Sequence, residues 1–287
     1  MFDRVLIVDW SAANTPTSAR NQANAIWIGA TGEGDTGEHH FCTRSTAELH
    51  IAQQIARARE GGFRLLIGFD FAFGYPAGFA QILTGQASAK AVWHWLVRHV
   101  TDTDRNANNR FDLANRINTA MGGAGPFWSH PAGRSYSALH PTKAGIDHVA
   151  LGFAEYRTVE RHASGAKSVF MLNNPGAVAS QSLLGLPMIH RLSQGPDVAV
   201  WPFDPVNRPI VLAEVYPSLL ARPVMAEIAA AGIVKDRAQV RLLARSLHGL
   251  GRTGRIAPLF SPPDAPTEEG WILGPGHQVL LHRALTA

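Results

Sequence analysis

Three apolar runs, each broken by a single acid, organise the two ends of the chain. "RVLIVDW" climbs through aliphatics to Asp9, "LLIGFDF" climbs to Asp70, and "IVLAEVYP" carries Glu214 inside an otherwise apolar run. Runs of this length without polar alternation predict strands covered on both faces, the pattern of a sheet with helices on each side. Around the first two runs the chain parses as strand 4–9, strand 25–30 ("AIWIGA"), a Gly-rich turn "TGEGDTG", strand 39–44 ("HHFCTR"), a helix and strand 64–70. Ser45 and Glu48 have capping-box spacing at the start of that helix, apolar residues recur at Leu49, Ile51, Ala52 and Ile55, and Gly61-Gly62 end it. The predicted order is therefore β-β-β-α-β.

Short turns make the first three strands an antiparallel meander, and the helical crossover returns the fourth strand parallel to the first. Neighbouring strands lie ~4.8 Å apart, so carboxylates at matching strand ends can share one divalent ion. Between 76 and 165 the pattern changes to helices ("AKAVWHWLVRHV", "NRFDLANRINTAM") separated by turn-rich polar segments, which predicts an insertion or cap within one domain spanning 1–287. From 166 the alternation resumes with strand "KSVFML", a helix near 176–194, strands "VAVWPF" and "IVLAEVYP", and helices near 217–230 and 236–248. The C-terminal "PGHQVLLHRALTA" is too short to assign.

At 287 residues, 46% hydrophobic and 17% charged, the chain has the composition of a folded protein and not of a disordered one. A net charge of +4 is mild, but arginines gather at Arg105, Arg110 and Arg116 and again between Arg237 and Arg255, which allows a local anion-facing surface. Arg237, Arg241 and Arg245 recur every four residues away from Val240, Leu243 and Leu247, the spacing of a solvated helix face. One cysteine, Cys42 in the predicted third strand, excludes an internal disulfide and fits a reducing compartment. No run reaches the ~20 apolar residues of a membrane span and the N-terminus has no signal-peptide cleavage site, so a cytoplasmic protein without membrane association is expected.

Familiar motifs are missing or misplaced. Gly32, Gly34 and Gly37, and again Gly249, Gly251 and Gly254, fit G-x-G-x-x-G, but the first set lies between two strands and the second follows a helix. Neither makes a strand-to-helix phosphate cradle. There is no Walker A sequence, no G-x-S-x-G and no H-E-x-x-H, and the thirteen histidines lack helical ligand spacing for zinc.

The acids remain. Taken singly, Asp9 and Asp70 are explained by Asx turns at strand ends. Glu214 is not, because an ionised carboxylate in an apolar strand is costly unless paired or metal-bound. It belongs either to a site shared with Asp9 and Asp70 or to a buried arginine. Asp236 in "VKDRAQVRLLARSL" fits a helix N-cap with Gln239 three residues on, so capping accounts for it as well as function does. Glu268 and Glu269 follow a Pro-rich loop, where exposed acids are common.

The segments "VLIVDWSAA", "IGFDFAFGYP", "AEVYPSLL", "KDRAQVRLLARSL" and "EEGWILG" resemble, in that order, the motifs of the family described as domain of unknown function 429, relatives of the ribonuclease H-like fold. The resemblance implies a ribonuclease H-like mixed sheet with a β-β-β-α-β core, flanked by helices. It also implies an acidic set of Asp9, Asp70, Glu214, Asp236 and Glu269. The family's late helix carries a second aspartate in an Asp-x-x-Asp-Ala pattern, where this chain has Gln239 and Val240. Region 76–165 lies outside the matching motifs.

The function expected on this basis is a Mg²⁺- or Mn²⁺-dependent phosphodiester hydrolase, nuclease-like and acting on nucleic acid. Asp9 and Asp70 would bind the metal, Glu214 and Asp236 would complete its coordination, and the arginines and asparagines of 105–118 would face backbone phosphates. Two rivals stand beside it. An actin- or sugar-kinase-like phosphotransferase would wrap ATP phosphates with "DWSAANT" and use Asp70 as base, but needs a second glycine-rich phosphate loop that the sequence does not offer. A non-catalytic binding or accessory protein on a degenerate version of the fold accounts for the missing second aspartate.

Overall fold

The apolar runs become the centre of one sheet. The computed structural model describes residues 2–18, 22, 24–123, 125–262 and 268–286. Its strands are β1 (Arg4–Asp9), β2 (Ile26–Gly32), β3 (Gly37–Phe41), β4 (Leu65–Phe69), β5 (Val198–Trp201), β6 (Ile210–Val215) and β7 (Ile272–Leu273). They are arranged β3-β2-β1-β4-β6-β5, with β7 beside the last two residues of β6. β1, β2 and β3 form the expected antiparallel meander, and β4 lies parallel to β1 after the crossover helix α1 (Arg44–Gly61). β6 continues parallel to β4, with Phe69 opposite Glu214. The resulting mixed α/β architecture has helices on both faces.

Side chains alternate strictly between those faces. Leu6, Val8, Ile67, Phe69 and Leu212 pack under α1, α3 (Ala89–His99) and α5 (Ala179–Leu192). Val5, Ile7, Leu66, Val211 and Ala213 pack under α6 (Ala221–Ala231) and α7 (Lys235–Arg252). The long helix α7 lies close on β2: a Cβ at Gly29 would come within 2.7 Å of the Val240 backbone. Only glycine permits that approach.

Several local expectations change. The cap of α1 is Thr43, whose Oγ1 accepts from Thr46 N–H at 3.3 Å, because β3 ends at Phe41 and the helix begins before Ser45. Cys42 consequently sits after the strand and is half-buried. "KSVFML" buries Val169, Phe170 and Leu172 but enters no sheet strand; it makes a single bridge from Met171 to Trp128. Its apolar residues fill the core from an irregular segment, which periodicity does not distinguish from a strand. The tail contributes a short helix, α8 (Gln278–Arg283).

Within 76–165 lie α2 (Phe79–Thr84), α3 and α4 (Arg110–Ala120). Phe79, Trp93, Leu96, Phe111 and Ile117 share one apolar cluster with β1 and β4, so this region is continuous with the core on that face of the sheet. Among the described residues, no helix is long and apolar enough to cross a membrane.

Candidate functional site

A cleft of about 660 Å³ opens over the C-terminal ends of β1, β4 and β6, lined among others by Asp9, Asp70, Arg110, Lys235, Asp236 and Gln239. The sheet register decides which acids meet there. Val8 pairs with Phe69, so Asp9 and Asp70 lie at matching positions one residue further on, both on the face that carries α7. Glu214 pairs with Phe69 itself and therefore projects from the opposite face.

Asp9 and Asp70 share a side-chain hydrogen bond. Burial first, and then the charges of Asp70 and Asp236, push the Asp9 carboxyl well above the usual carboxylate range. Burial likewise raises Asp70, to about 7, although Trp10 N–H donates to its Oδ1 at 2.7 Å and favours the ionised form. Two buried carboxyls in mutual contact resist full ionisation, so the pair retains a proton between them. Asp236 belongs to the same electrostatic group, its carboxyl raised by burial against the opposing charge of Lys235. It is not the N-cap of α7; Val234 occupies that position, and Asp236 stands in the first turn with its carboxylate in the cleft.

The loop that follows Asp9 is held from behind. Arg44, 3% exposed, donates from Nη1 to the carbonyls of Ser11 and Ala13 at 3.0 and 2.8 Å. It also grips both carboxylate oxygens of Asp102 at 2.6 Å. Ser11 Oγ ties the same loop to the Asn24 carbonyl at 2.5 Å. These contacts fix the backbone beside Asp9 without adding any cation to the acid pair.

Glu214 has a different environment. Arg157, 1% exposed, donates Nη1 and Nη2 to its two oxygens at 2.8 and 2.6 Å, and Phe73 N–H adds a third bond at 3.0 Å. Arg157 also binds Glu160 through Nε at 2.7 Å. Burial opposes the charge on Arg157, but the two glutamates outweigh it and hold the guanidinium above its ordinary value. The structure supplies Glu214 with the buried arginine of the second sequence alternative, while Glu214 also lines the cleft that holds Asp9 and Asp70.

Glu269 is also held, and not exposed as its Pro-rich neighbourhood led us to expect. Its Oε1 accepts from Ala77 N–H at 2.9 Å and its Oε2 from Thr158 N–H at 2.7 Å. Glu268 accepts from Gly78 N–H at 2.9 Å. The loop after Asp70 passes so close to this segment that a Cβ on Gly74 would lie 2.3 Å from the Glu269 carbonyl oxygen. The loop's aromatics are core: Phe71, Phe73 and Tyr75 are buried, and Trp93 Nε1 donates to the Phe73 carbonyl at 2.7 Å.

The arginine stripe on α7 is partly paired. Arg241 reaches Glu38 and Glu227 at 2.7 and 2.6 Å, Arg237 reaches Glu38 at 3.2 Å, and Arg245 is exposed. Sequence reasoning missed Arg157, Glu160 and Arg44. The one signal for Arg157 was indirect, the demand of Glu214 for a counter-ion. Among the described residues no three His, Cys, Asp or Glu side chains gather closely enough to cage an ion by themselves. No family model, no curated protein and no solved structure matches the chain.

Proposed function

We propose that this chain is a divalent-metal-dependent phosphodiester hydrolase of ribonuclease H-like architecture, acting on nucleic acid through Asp9, Asp70 and Asp236. The observation that carries the reading is the proton-sharing pair of aspartates at matching ends of two parallel central strands, with a third aspartate acting on both. The strand arrangement β3-β2-β1-β4, with an antiparallel meander and a parallel return, is what the resemblance to domain of unknown function 429 implies, and it supports the same family.

The donor set suits Mg²⁺ or Mn²⁺. Both are hard ions taken by carboxylate oxygens, and Mg²⁺ commonly uses only one or two protein carboxylates, with water and substrate phosphate completing its shell. A full protein cage is therefore not required. When bound, the ion supplies charge neutralisation and polarisation at the phosphodiester. Asp9 and Asp70 would hold it, giving up their shared proton to solvent. Trp10 N–H fixes Oδ1 of Asp70 and so the plane of that carboxylate. Asp236, kept basic enough by burial, is the group that takes up a proton from water in the cleft. Glu214 and Glu269 serve the scaffold in this reading.

A second reading, a non-catalytic binding protein on the same scaffold, is favoured by Gln239, which lines the cleft near the position where the resembling family carries a further aspartate. Calorimetric titration of Mn²⁺ and Mg²⁺ into the wild type and into folded Asp9→Asn and Asp70→Asn proteins separates the two. The hydrolase reading expects binding in the wild type, loss in both variants, and weaker binding at pH 5.5 than at pH 7.5 as protons compete for Asp70. Silence in the wild type, or equal binding in the variants, would favour the binding protein. Metal binding would then justify assays on single- and double-stranded DNA and on RNA.

A further inference from the structure

We propose that Arg110 is the phosphate-binding residue of the cleft, taking a phosphate group of the substrate beyond the one that reacts at Asp9 and Asp70. The second half of that statement rests on the hydrolase reading above; the first half stands on the geometry of Arg110 alone.

Arg110 opens α4 and faces the same cleft as the acid pair. Its Nε donates to Ser180 Oγ at 3.0 Å, and its Nη1 donates to Asn108 Oδ1 at 2.8 Å and to Asn14 Oδ1. All three partners are neutral. Nη2 has no hydrogen-bond partner among the described residues, and Arg110 makes no ion pair among them. The other arginine of the cleft, Arg157, is fully committed to Glu160 and Glu214. Asp102, the acid closest in influence, has both oxygens on Arg44.

The guanidinium is built into place. Ser180 Oγ donates to the Leu172 carbonyl at 2.6 Å, which turns its lone pairs toward Arg110 Nε. The Phe111 ring lies 4.4 Å below the guanidinium carbon. Burial lowers the pKa of Arg110 to about 10, so it remains charged at neutral pH while being partly stripped of water. A fixed, desolvated cation with an unused pair of N–H donors and no counter-ion is an anion site. Nearby, the buried Trp10 Nε1 is a second donor without a partner.

The site is coupled to the acids through the chain itself. Asn14, which orients Nη1, is five residues beyond Asp9, so the two ends of this loop are at most about 18 Å apart. A nucleic-acid strand carries a phosphate about every 3.4 Å of helix axis, so a phosphate neighbouring the reacting one falls within this limit. Arg105 and Arg116, the neighbours that made this stretch look basic, are exposed and lie outside the cleft lining.

The test is calorimetric titration of inorganic pyrophosphate in metal-free buffer at pH 7, into the wild type and the Arg110→Gln, Arg110→Lys, Asp70→Asn and Arg105→Gln proteins. Arg110→Gln should weaken binding about tenfold or more, the loss expected for a charge-assisted hydrogen bond. Arg110→Lys should fall between, because a point charge replaces the fork, and it keeps the test available if the glutamine variant does not fold. Asp70→Asn should bind as tightly as the wild type or tighter, and Arg105→Gln should bind like the wild type. No binding to the wild type at millimolar pyrophosphate, or binding by both Arg110 variants as tight as the wild type's, overturns the proposal. Because neither metal nor turnover enters this measurement, Arg110-dependent binding would stand even if the metal titration failed.

Discussion

Two groups of carboxylates sit at the same end of the same sheet and are treated in opposite ways. Glu214 and Glu160 surround Arg157 with hydrogen bonds of 2.6 to 2.8 Å, and Glu214 also accepts a backbone N–H. Among the described residues no cation bonds to Asp9 or Asp70, which manage their charge by sharing a proton. The first arrangement is electrostatically closed, with a fixed guanidinium among buried acids. The second is open to an external positive charge. Adjacent residues in the strand register, Glu214 opposite Phe69 and Asp9 beside Asp70, thus meet different partners because they point to different faces.

That contrast is broken most forcefully at Arg157. Arg157→Met leaves two buried glutamates without their cation and should cost about 3–5 kcal/mol, read from urea unfolding. Adding Glu160→Gln and Glu214→Leu should recover much of the loss, since an apolar substitute tolerates burial where a lone charge does not. A loss below ~1 kcal/mol in the single variant would mean that the network is not closed in the sense described.

The acid pair should respond with the opposite sign. The folded Asp70 carboxyl sits at about 7 against an ordinary 3.8, so between those values the native state holds a proton that the unfolded chain releases. Wild-type stability from this group is therefore complete at low pH and falls as pH rises from about 4 to about 7. Asp70→Asn removes that decline and lets Asp9 relax as well. It should stabilise the fold by roughly 1–2 kcal/mol at pH 7.5, less than the full shift because both carboxyls open onto the cleft. Urea midpoints at pH 5 and 7.5 measure it; a variant as steep in pH as the wild type would remove the shared proton from the account.

The smallest effect sharpens the division. Glu269→Gln keeps the shape but weakens acceptance from Ala77 and Thr158 N–H, at about 1 kcal/mol in thermal or urea unfolding. It should leave Mn²⁺ affinity unchanged. Altered metal affinity with unaltered stability would move Glu269 from the scaffold into the metal site.

The sheet was legible in the sequence because its evidence is local. Uninterrupted apolar runs, a glycine-rich turn and a glycine-ended helix mark β1 to β4, and a right-handed crossover allows β4 to return parallel to β1; that the two are neighbours is shown by the sheet itself. The juxtaposition of Asp9 and Asp70 was conditional on that adjacency and follows from the observed register. The fate of Glu214 was not legible, because its partner lies 57 residues earlier in an irregular segment and the relative register of β4 and β6 has no sequence signature. "KSVFML" misled for a related reason, since burial in a turn and burial in a strand draw on the same residues. Asp236 was ambiguous while the helix start was uncertain by two positions; with Val234 at the cap, the carboxylate is left for the cleft.

The strand arrangement also has a consequence for the order in which the molecule can be assembled. β5 precedes β6 along the chain, yet in the sheet it is joined only through β6, which inserts between it and β4. Arg157 is likewise synthesised long before Glu214. A nascent chain that has emerged as far as β5 therefore carries an unpaired strand edge and an arginine with only Glu160 of its two acids, although Asp9 and Asp70 are already in hand. Synthesis of β6 resolves both at once, docking the edge strand and supplying the guanidinium's second acid in a single event.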